Sequence, residues 1–323
     1  MKCLICGQQD GHTKYTFREM MNGSRDGFEY FECGKCGCLQ ISDIPHDLER
    51  YYGSDYYSFS PDRIRLRKPR FSNNLRIRRD RAAVLGRDTL GLIMCRLPQP
   101  YGCSPRLKLF RPVNLDLNSR ILDVGCGCGD MLLTLEPIGF CNLTGIDPYM
   151  EEDSILGGGI RLLKTTMADL KEKFDLVMLN HSLEHMPDPH KAFKEISSLL
   201  DPGASCLIRI PTVSSYVWQH YRENWVQIDA PRHLFLFSID SIRVLAAANG
   251  FSVEHIEYDS TVFQFLGSEQ YLRDIPLLAD NSYAIKRDAS IFSQQDIERY
   301  QKISLRLNKR MEGDQCAIVL RKN

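Results

Sequence analysis

From residue 118 onward the chain alternates short apolar runs with stretches whose apolar residues recur every three or four positions. The runs RILDVGC (120–126), NLTGIDP (142–148), IRLLKT (160–165), FDLVMLN (174–180) and SCLIRIP (205–211) are continuous, not alternating. That is the pattern of strands covered on both faces of a parallel sheet. Between them, stretches such as HKAFKEISSLL (190–200) and SIDSIRVLAAANG (238–250) carry the helical period. Two more strands, FSVEHIEY (251–258) and QCAIVLR (315–321), are separated by residues 267–313, which read as a helical insertion. The pattern predicts right-handed βαβ units and an α/β fold, a doubly wound, seven-stranded, mostly parallel sheet.

Upstream the pattern changes twice. Residues 1–47 are rich in Cys and Gly with short strand-like runs, and residues 48–117 form a basic, largely helical connecting region. The predicted organisation is therefore a small N-terminal module, the connector, and an α/β domain over 118–323. Lys+Arg and Asp+Glu both number 41, so no global charge bias draws the chain to nucleic acid. Locally, RIRLRKPRFSNNLRIRRDR (63–81) is strongly basic. It reads either as a solvated helical face or as a surface for phosphate on a nucleotide-sugar, a lipid-linked glycan or RNA. DTLGLIMCRLP (88–98) adds thin support for weak membrane-surface contact. No run of eighteen apolar residues exists, and MKCLICGQQDGH lacks the apolar core of an export signal. With no export signal, the twelve cysteines are read as reduced thiols in a cytoplasmic protein.

Four of those cysteines, Cys3, Cys6, Cys33 and Cys36, form a CxxC…CxxC pair, each followed by a glycine that eases a knuckle turn. Four thiolates make a closed tetrahedral Zn²⁺ site, which is structural because it leaves no open position. A module this small buries little apolar area, so the metal supplies much of its folding free energy. His12 and Cys38 are spare and are assigned no ligand role.

The stretch ILDVGCGCGD follows a predicted strand and precedes a predicted helix. Gly125 and Gly127 remove side chains where a ligand approaches the backbone, and Gly129 lets the helix begin. Asp147, at the end of the second strand, is placed to accept hydrogen bonds from a ribose diol. The spacing is GxGxG, and Asp123 adds an acid at the end of the first strand. An anion beside the loop disfavours a pyrophosphate and suits a ligand bearing ammonium and sulfonium groups. That points to S-adenosylmethionine over NAD. The plainer reading is a tight strand-to-helix turn, with Cys126 and Cys128 as small packed side chains.

RILDVGCGCGDML, GIDP, FDLVMLNHSLEHMPDPHKAF and LLDPGASCLIRIPT, in that order, resemble the signature motifs of class I S-adenosylmethionine-dependent methyltransferases with a Rossmann-like fold. The resemblance implies that Asp123, Gly125, Gly127 and Gly129 surround the methionine end of the cofactor. Asp147 and Pro148 then lie at the ribose, Thr166 and Met167 near adenine, and Asn180 beneath the donor. DAPRHLFLFS (229–238) resembles a recurring feature of zinc-ribbon methyltransferases from bacterial sugar and surface-polysaccharide pathways. The acceptor implied is a small polar molecule, a sugar or nucleotide-sugar. SDYYSF (54–59) shares that resemblance without an assignable role.

Methyl transfer needs an oriented acceptor and, for a hydroxyl, a proton acceptor. His233 and His181 are the candidate catalytic residues; His185, within an LEH triplet, reads as architectural. The aromatic segment after the fifth strand, with Trp218 and Trp225, is read as a lid that excludes water. Tyr216, Tyr221, Arg232 and Trp225 are possible acceptor contacts. Two alternatives stay open: a zinc-ribbon RNA methyltransferase, and a non-catalytic cofactor-binding scaffold. The absence of an NPPY-type motif after the fourth strand, where NHSL stands, argues against a nucleic-acid base as acceptor.

Overall fold

In the computed structural model, residues 1–52, 73–97 and 101–323 are described. SDYYSF and residues 63–72 of the basic zone lie outside them.

The α/β sheet is centred on β4 (Ile121–Val124), which pairs in parallel with β5 (Leu143–Ile146) on one side and β8 (Phe174–Asn180) on the other. β7 (Ile160–Leu163) extends the sheet in parallel beyond β5, and β9 (Leu200–Pro211) extends it beyond β8. These are the five strands expected to run parallel. β12 (Gln315–Lys322) and β11 (Phe251–Tyr258) close the far edge, both antiparallel to their neighbours. An eighth, three-residue strand, β6 (Ser154–Leu156), adds antiparallel to β7 at the opposite edge. The order is β11-β12-β9-β8-β4-β5-β7-β6. This is a Rossmann-like α/β fold with a mostly parallel mixed sheet, one strand larger than the seven expected.

Residue parity explains why the strands read as continuous apolar runs. Leu122, Val124, Val177, Leu179, Cys206, Ile208 and Ile318 belong to one core cluster. Ile121, Leu176, Met178, Leu207 and Val319 belong to a second, on the other face. Both faces are covered, so residues of both parities are mostly apolar. On the second face lie Ala83 and Val84 of α1 (Asn73–Leu85), Leu107 of α3 (Pro105–Lys108), and Met131, Leu132 and Leu135 of α4 (Asp130–Leu135). The short α2 (Thr89–Met94) packs on α1. Phe193 and Ile196 of α5 (Pro189–Leu199), Val217 and Trp218 of α6 (Tyr216–Tyr221), and Ile242 and Leu245 of α7 (Ile239–Ala248) fill the first face. Asp188 caps α5 by accepting from the Lys191 amide, and Pro189 sits where the first turn needs no donor.

The N-terminal strands β1 (Thr13–Arg18), β2 (Gly27–Glu32) and β3 (Leu39–Ile41) form an antiparallel sheet. Its fourth strand is β10 (Phe235–Leu236), from the DAPRHLFLFS segment. The ribbon is therefore stitched into the α/β body. The Ile41 amide donates to the Leu234 carbonyl at 2.9 Å, and the Ser238 hydroxyl, which caps α7, also donates to the Cys36 carbonyl.

Between β11 and β12 lie α8 (Phe263–Leu272) and α9 (Gln294–Lys309). A Cβ on Gly267 would lie 2.4 Å from Cγ2 of Val226, so glycine lets α8 approach the loop after α6. Ser293 and Asp296 form a reciprocal capping box on α9.

Candidate functional site

The glycine loop sits at the C-terminal edge of the parallel sheet, where open α/β folds bind ligands. Gly125, Gly127 and Gly129 have φ of 73°, 50° and 79°, a left-handed region that side chains resist. Gly129 is the N-cap of α4. Gly125 has a further reason to be bare. A Cβ there would lie 2.7 Å from the Cβ of Ser182, whose hydroxyl donates to the Val124 carbonyl at 2.8 Å. Its bareness admits a neighbouring loop of the protein itself.

Two buried acids bracket the loop. Asp147 accepts from the Gly127 amide at 3.2 Å and the Tyr149 amide at 3.0 Å, one on each oxygen. Each oxygen keeps a second lone pair, which is what a diol needs. Asp123 takes one long hydrogen bond from Asn180 Nδ2, at 3.5 Å. Burial pushes the Asp123 carboxyl up to about 7, and burial raises Asp147 as well. Among the described residues no ion pair involves either acid. Thr166 starts a 3-10 turn and donates to Asp169 at 2.6 Å, Met167 is buried, and Pro148 is exposed beside Asp147.

Across the same sheet edge, four histidine and acid side chains converge. His181 follows β8 with a left-handed φ of 53°. Arg209 Nη1 donates to its Nε2 at 2.8 Å, so the ring proton sits on Nδ1, which donates to Glu184 at 3.2 Å. Arg209 is anchored in turn on Asp259 at 2.6 Å. Both nitrogens of His181 are thus engaged, and its partly exposed ring links the buried Glu184 to Arg209. His233 is buried and donates from Nδ1 to the Gln227 carbonyl at 2.7 Å. His185 does the same to the Arg232 carbonyl at 2.8 Å, which suits its architectural reading. The rings of His185 and His233 meet edge to face with centroids 4.8 Å apart, and each keeps Nε2. Burial, with the His233 charge second, pushes His185 down to about 4.

Several expected acceptor contacts are structural instead. Trp218 and Trp225 are fully buried, Trp218 against Tyr15 and Phe17 of the ribbon, Trp225 with its indole donating to Asp314 at 3.1 Å. They are core where a lid was expected, because the ribbon and the insertion cover them. Tyr221 is buried and donates to Glu269 at 2.9 Å. Arg232 is fully buried between Asp229 at 2.6 Å and Glu19 at 3.0 Å. Tyr216 stays exposed. No motif singles out Glu184, Arg209, Asp259 or Glu19 as a site residue in the sequence. Buried acids and arginines in mutual contact carry no local signal when, as for Glu19 and Arg232, 213 positions separate them.

The ribbon cysteines come together. Sγ–Sγ distances are 3.6 Å for both Cys3–Cys36 and Cys6–Cys33, and all four sulfurs lie within 4.8 Å of one another. Tetrahedral Zn–S bonds of about 2.3 Å place sulfurs ~3.8 Å apart, so the four fit the ion. The Gly7 amide returns to the Cys3 carbonyl and the Gly37 amide to the Cys33 carbonyl, closing two knuckles. Gln40 donates to Cys3 Sγ at 3.1 Å. Neither His12 nor Cys38 joins the group.

Residues 98–256 match a family model described as a methyltransferase domain. Among curated proteins, the ubiquinone biosynthesis O-methyltransferase of Actinobacillus pleuropneumoniae serotype 7 is 30% identical over 127 residues, 32% of this chain and 54% of that protein. The enzyme of the same name from Haemophilus ducreyi is 35% identical over 98 residues, 26% and 41% of the two chains. The chain thus spans about half the length of the curated relatives it matches. Among solved structures, a SAM-dependent methyltransferase of Thermotoga maritima, described as a possible histamine N-methyltransferase, shares 18% identity over 78% of this chain and 91% of its own, with a TM-score of 0.39.

Proposed function

We propose that this protein is an enzyme that transfers a methyl group from S-adenosylmethionine to a small polar acceptor, a sugar or nucleotide-sugar in glycan or natural-product assembly. The observation that carries the reading is the pair of buried acids at the glycine loop, without a basic partner. A site of this kind favours a cationic ligand and works against a pyrophosphate. Asp147 accepts the ribose hydroxyls, Asp123 faces the methionine ammonium through the loop, and Asn180 steadies Asp123. Thr166, Met167 and Pro148 border the adenosine. Bound there, the cofactor supplies the electrophilic methyl group and the thioether leaving group.

The remaining chemistry belongs to the chain. His233 is the proton acceptor for the acceptor group, since its Nδ1–H is fixed on a carbonyl and its Nε2 lone pair points away from that anchor. His181 positions Glu184 beside it. The four ribbon cysteines hold a structural Zn²⁺, which keeps β3 in register with β10 and so fixes the segment bearing His233. The basic connector offers phosphate contacts to a nucleotide-sugar or lipid-linked glycan. The protein acts in the cytoplasm.

Calorimetry with S-adenosylmethionine tests the donor, and mass spectrometry of labelled donor with fractionated nucleotide-sugars tests the acceptor. Transfer only to an intermediate of ubiquinone biosynthesis would replace the sugar. RNA binding that weakens steeply with salt would move the acceptor to nucleic acid. No donor binding at millimolar concentration would leave a scaffold.

A further inference from the structure

Glu184 is fully buried, and its Oε2 has no hydrogen-bond partner. Its Oε1 is held by His181, and among the described residues no lysine or arginine pairs with it. A buried carboxylate is ordinarily paired, fully hydrogen-bonded or bound to a metal. Here half of the carboxylate is left over. The nearby guanidinium of Arg232 is committed to Glu19 and Asp229, and that of Arg209 to Asp259.

Two histidines beside this carboxylate have the character of metal ligands. His185 and His233 each donate Nδ1–H to a backbone carbonyl, which fixes the tautomer and leaves Nε2 as a lone-pair donor. That anchoring is the usual support of metal-ligating histidines. One ligand atom from each of Glu184, His185 and His233 lies within 4.8 Å of the others. Around an ion with bonds of about 2.1 Å the ligand atoms lie ~3.4 Å apart, so binding would draw the three side chains together. Asp229 Oδ2 lies 3.9 Å from His233 Nε2 and adds negative potential beside that nitrogen. The backbone supports the arrangement too, since the Leu234 amide donates to the Glu184 carbonyl at 2.9 Å and locks the two ligand-bearing segments together.

We propose that Glu184, His185 and His233 form a second metal site, distinct from the cysteine cluster, for a first-row divalent ion such as Zn²⁺, Fe²⁺ or Co²⁺. Two imidazoles and one carboxylate select such ions over Mg²⁺ or Ca²⁺, and three protein ligands leave coordination positions open to a small molecule. The site lies at the sheet edge that carries the glycine loop. Its existence is independent of the methyl-transfer reading. The two meet at His233, whose Nε2 holds either a proton or the ion, so metal occupancy replaces general-base action by that ring.

The test is a Co²⁺ titration of the full chain, with metal counted by mass spectrometry and the visible spectrum recorded. Two ions per chain are expected: one with the intense thiolate charge-transfer band of a Cys₄ site, the second with weak ligand-field bands only. His185→Gln, His233→Gln and Glu184→Gln should each weaken the second ion by more than about a hundredfold while the thiolate band stays. Circular dichroism and S-adenosylmethionine binding report whether each variant is folded, and the three variants give independent chances of a folded one. A single ion per chain with Co²⁺ or Zn²⁺ in excess overturns the site. So does a second ion held equally well by the folded variants. Failure of the cofactor to bind, with two ions still counted, removes the methyl-transfer reading and leaves the site.

Discussion

Glu19 joins the ribbon to the segment that carries His233, and replacing it with alanine should be among the costliest single changes in the chain. Its side chain is fully buried and accepts from the amides of Asn22, Gly23 and Ser24 at 2.8, 2.9 and 3.0 Å and from Arg232 at 3.0 Å. Breaking a buried pair by removing one partner costs about 3–5 kcal/mol, because the other charge stays buried. Asp229 still serves Arg232, which lowers that figure; the three turn amides lose a charged acceptor, which raises it. The two corrections roughly offset, so Glu19→Ala should destabilise by about 4 kcal/mol. Urea unfolding at a fixed, saturating Zn²⁺ concentration measures this without a shift in metal loading. A cycle with Arg232→Ala should then give a coupling of about 2 kcal/mol. A loss below about 1 kcal/mol, or additive single variants, would refute the link between ribbon and site.

Asp147→Ala should weaken S-adenosylmethionine binding by about 1–3 kcal/mol in calorimetry through lost charge-assisted hydrogen bonds, and unchanged affinity would remove Asp147 from the site. Asp123, raised to about 7, is largely protonated in the folded protein at pH 6, and a cationic ligand favours its ionised form. Donor binding at pH 6 should therefore release close to one proton, affinity should rise with pH toward 7 and then level, and buffers of different ionisation enthalpy reveal the release; Asp123→Asn should abolish it. The sign for stability is the opposite of a salt-bridged acid's: the raised carboxyl withdraws stability as pH climbs from about 4 to 7, and thermal scans of wild type against Asp123→Asn check this. His233→Ala should lower turnover about 10²–10⁴-fold with cofactor affinity kept, and near-normal turnover would assign the ring to packing. Stripping Zn²⁺ from the ribbon should speed hydrogen exchange at residues 235–236, since among the described residues β10 pairs only with β3; unchanged protection would make the ribbon dispensable for that segment.

The parallel core was legible because both residue parities of β4, β8 and β9 are buried, which writes each strand as an unbroken apolar run. β6 was not, being three residues long, only half covered and held at an edge. The glycine loop, Asp147 and the cysteine pairs could be read because each is a local pattern whose geometry follows from its spacing. The ribbon's fourth strand could not, because nothing near residues 33–41 states that residues 235–236 complete its sheet. The tryptophans show the same limit. An aromatic-rich loop can form a lid or be covered, and only the docked ribbon, with Phe17 and Tyr15 against Trp218, decides between them. The hydrogen-bonded chain from Glu184 through His181 and Arg209 to Asp259 is formed by three separate segments, so it emerges only from the fold.

The most direct test of the account is a crystal soaked with S-adenosylhomocysteine and, separately, with NADH. The account predicts the thioether compound at the glycine loop, its ribose hydroxyls on Asp147 and its ammonium toward Asp123, and no density for the dinucleotide. NADH bound along residues 125–129 with the thioether absent would contradict it.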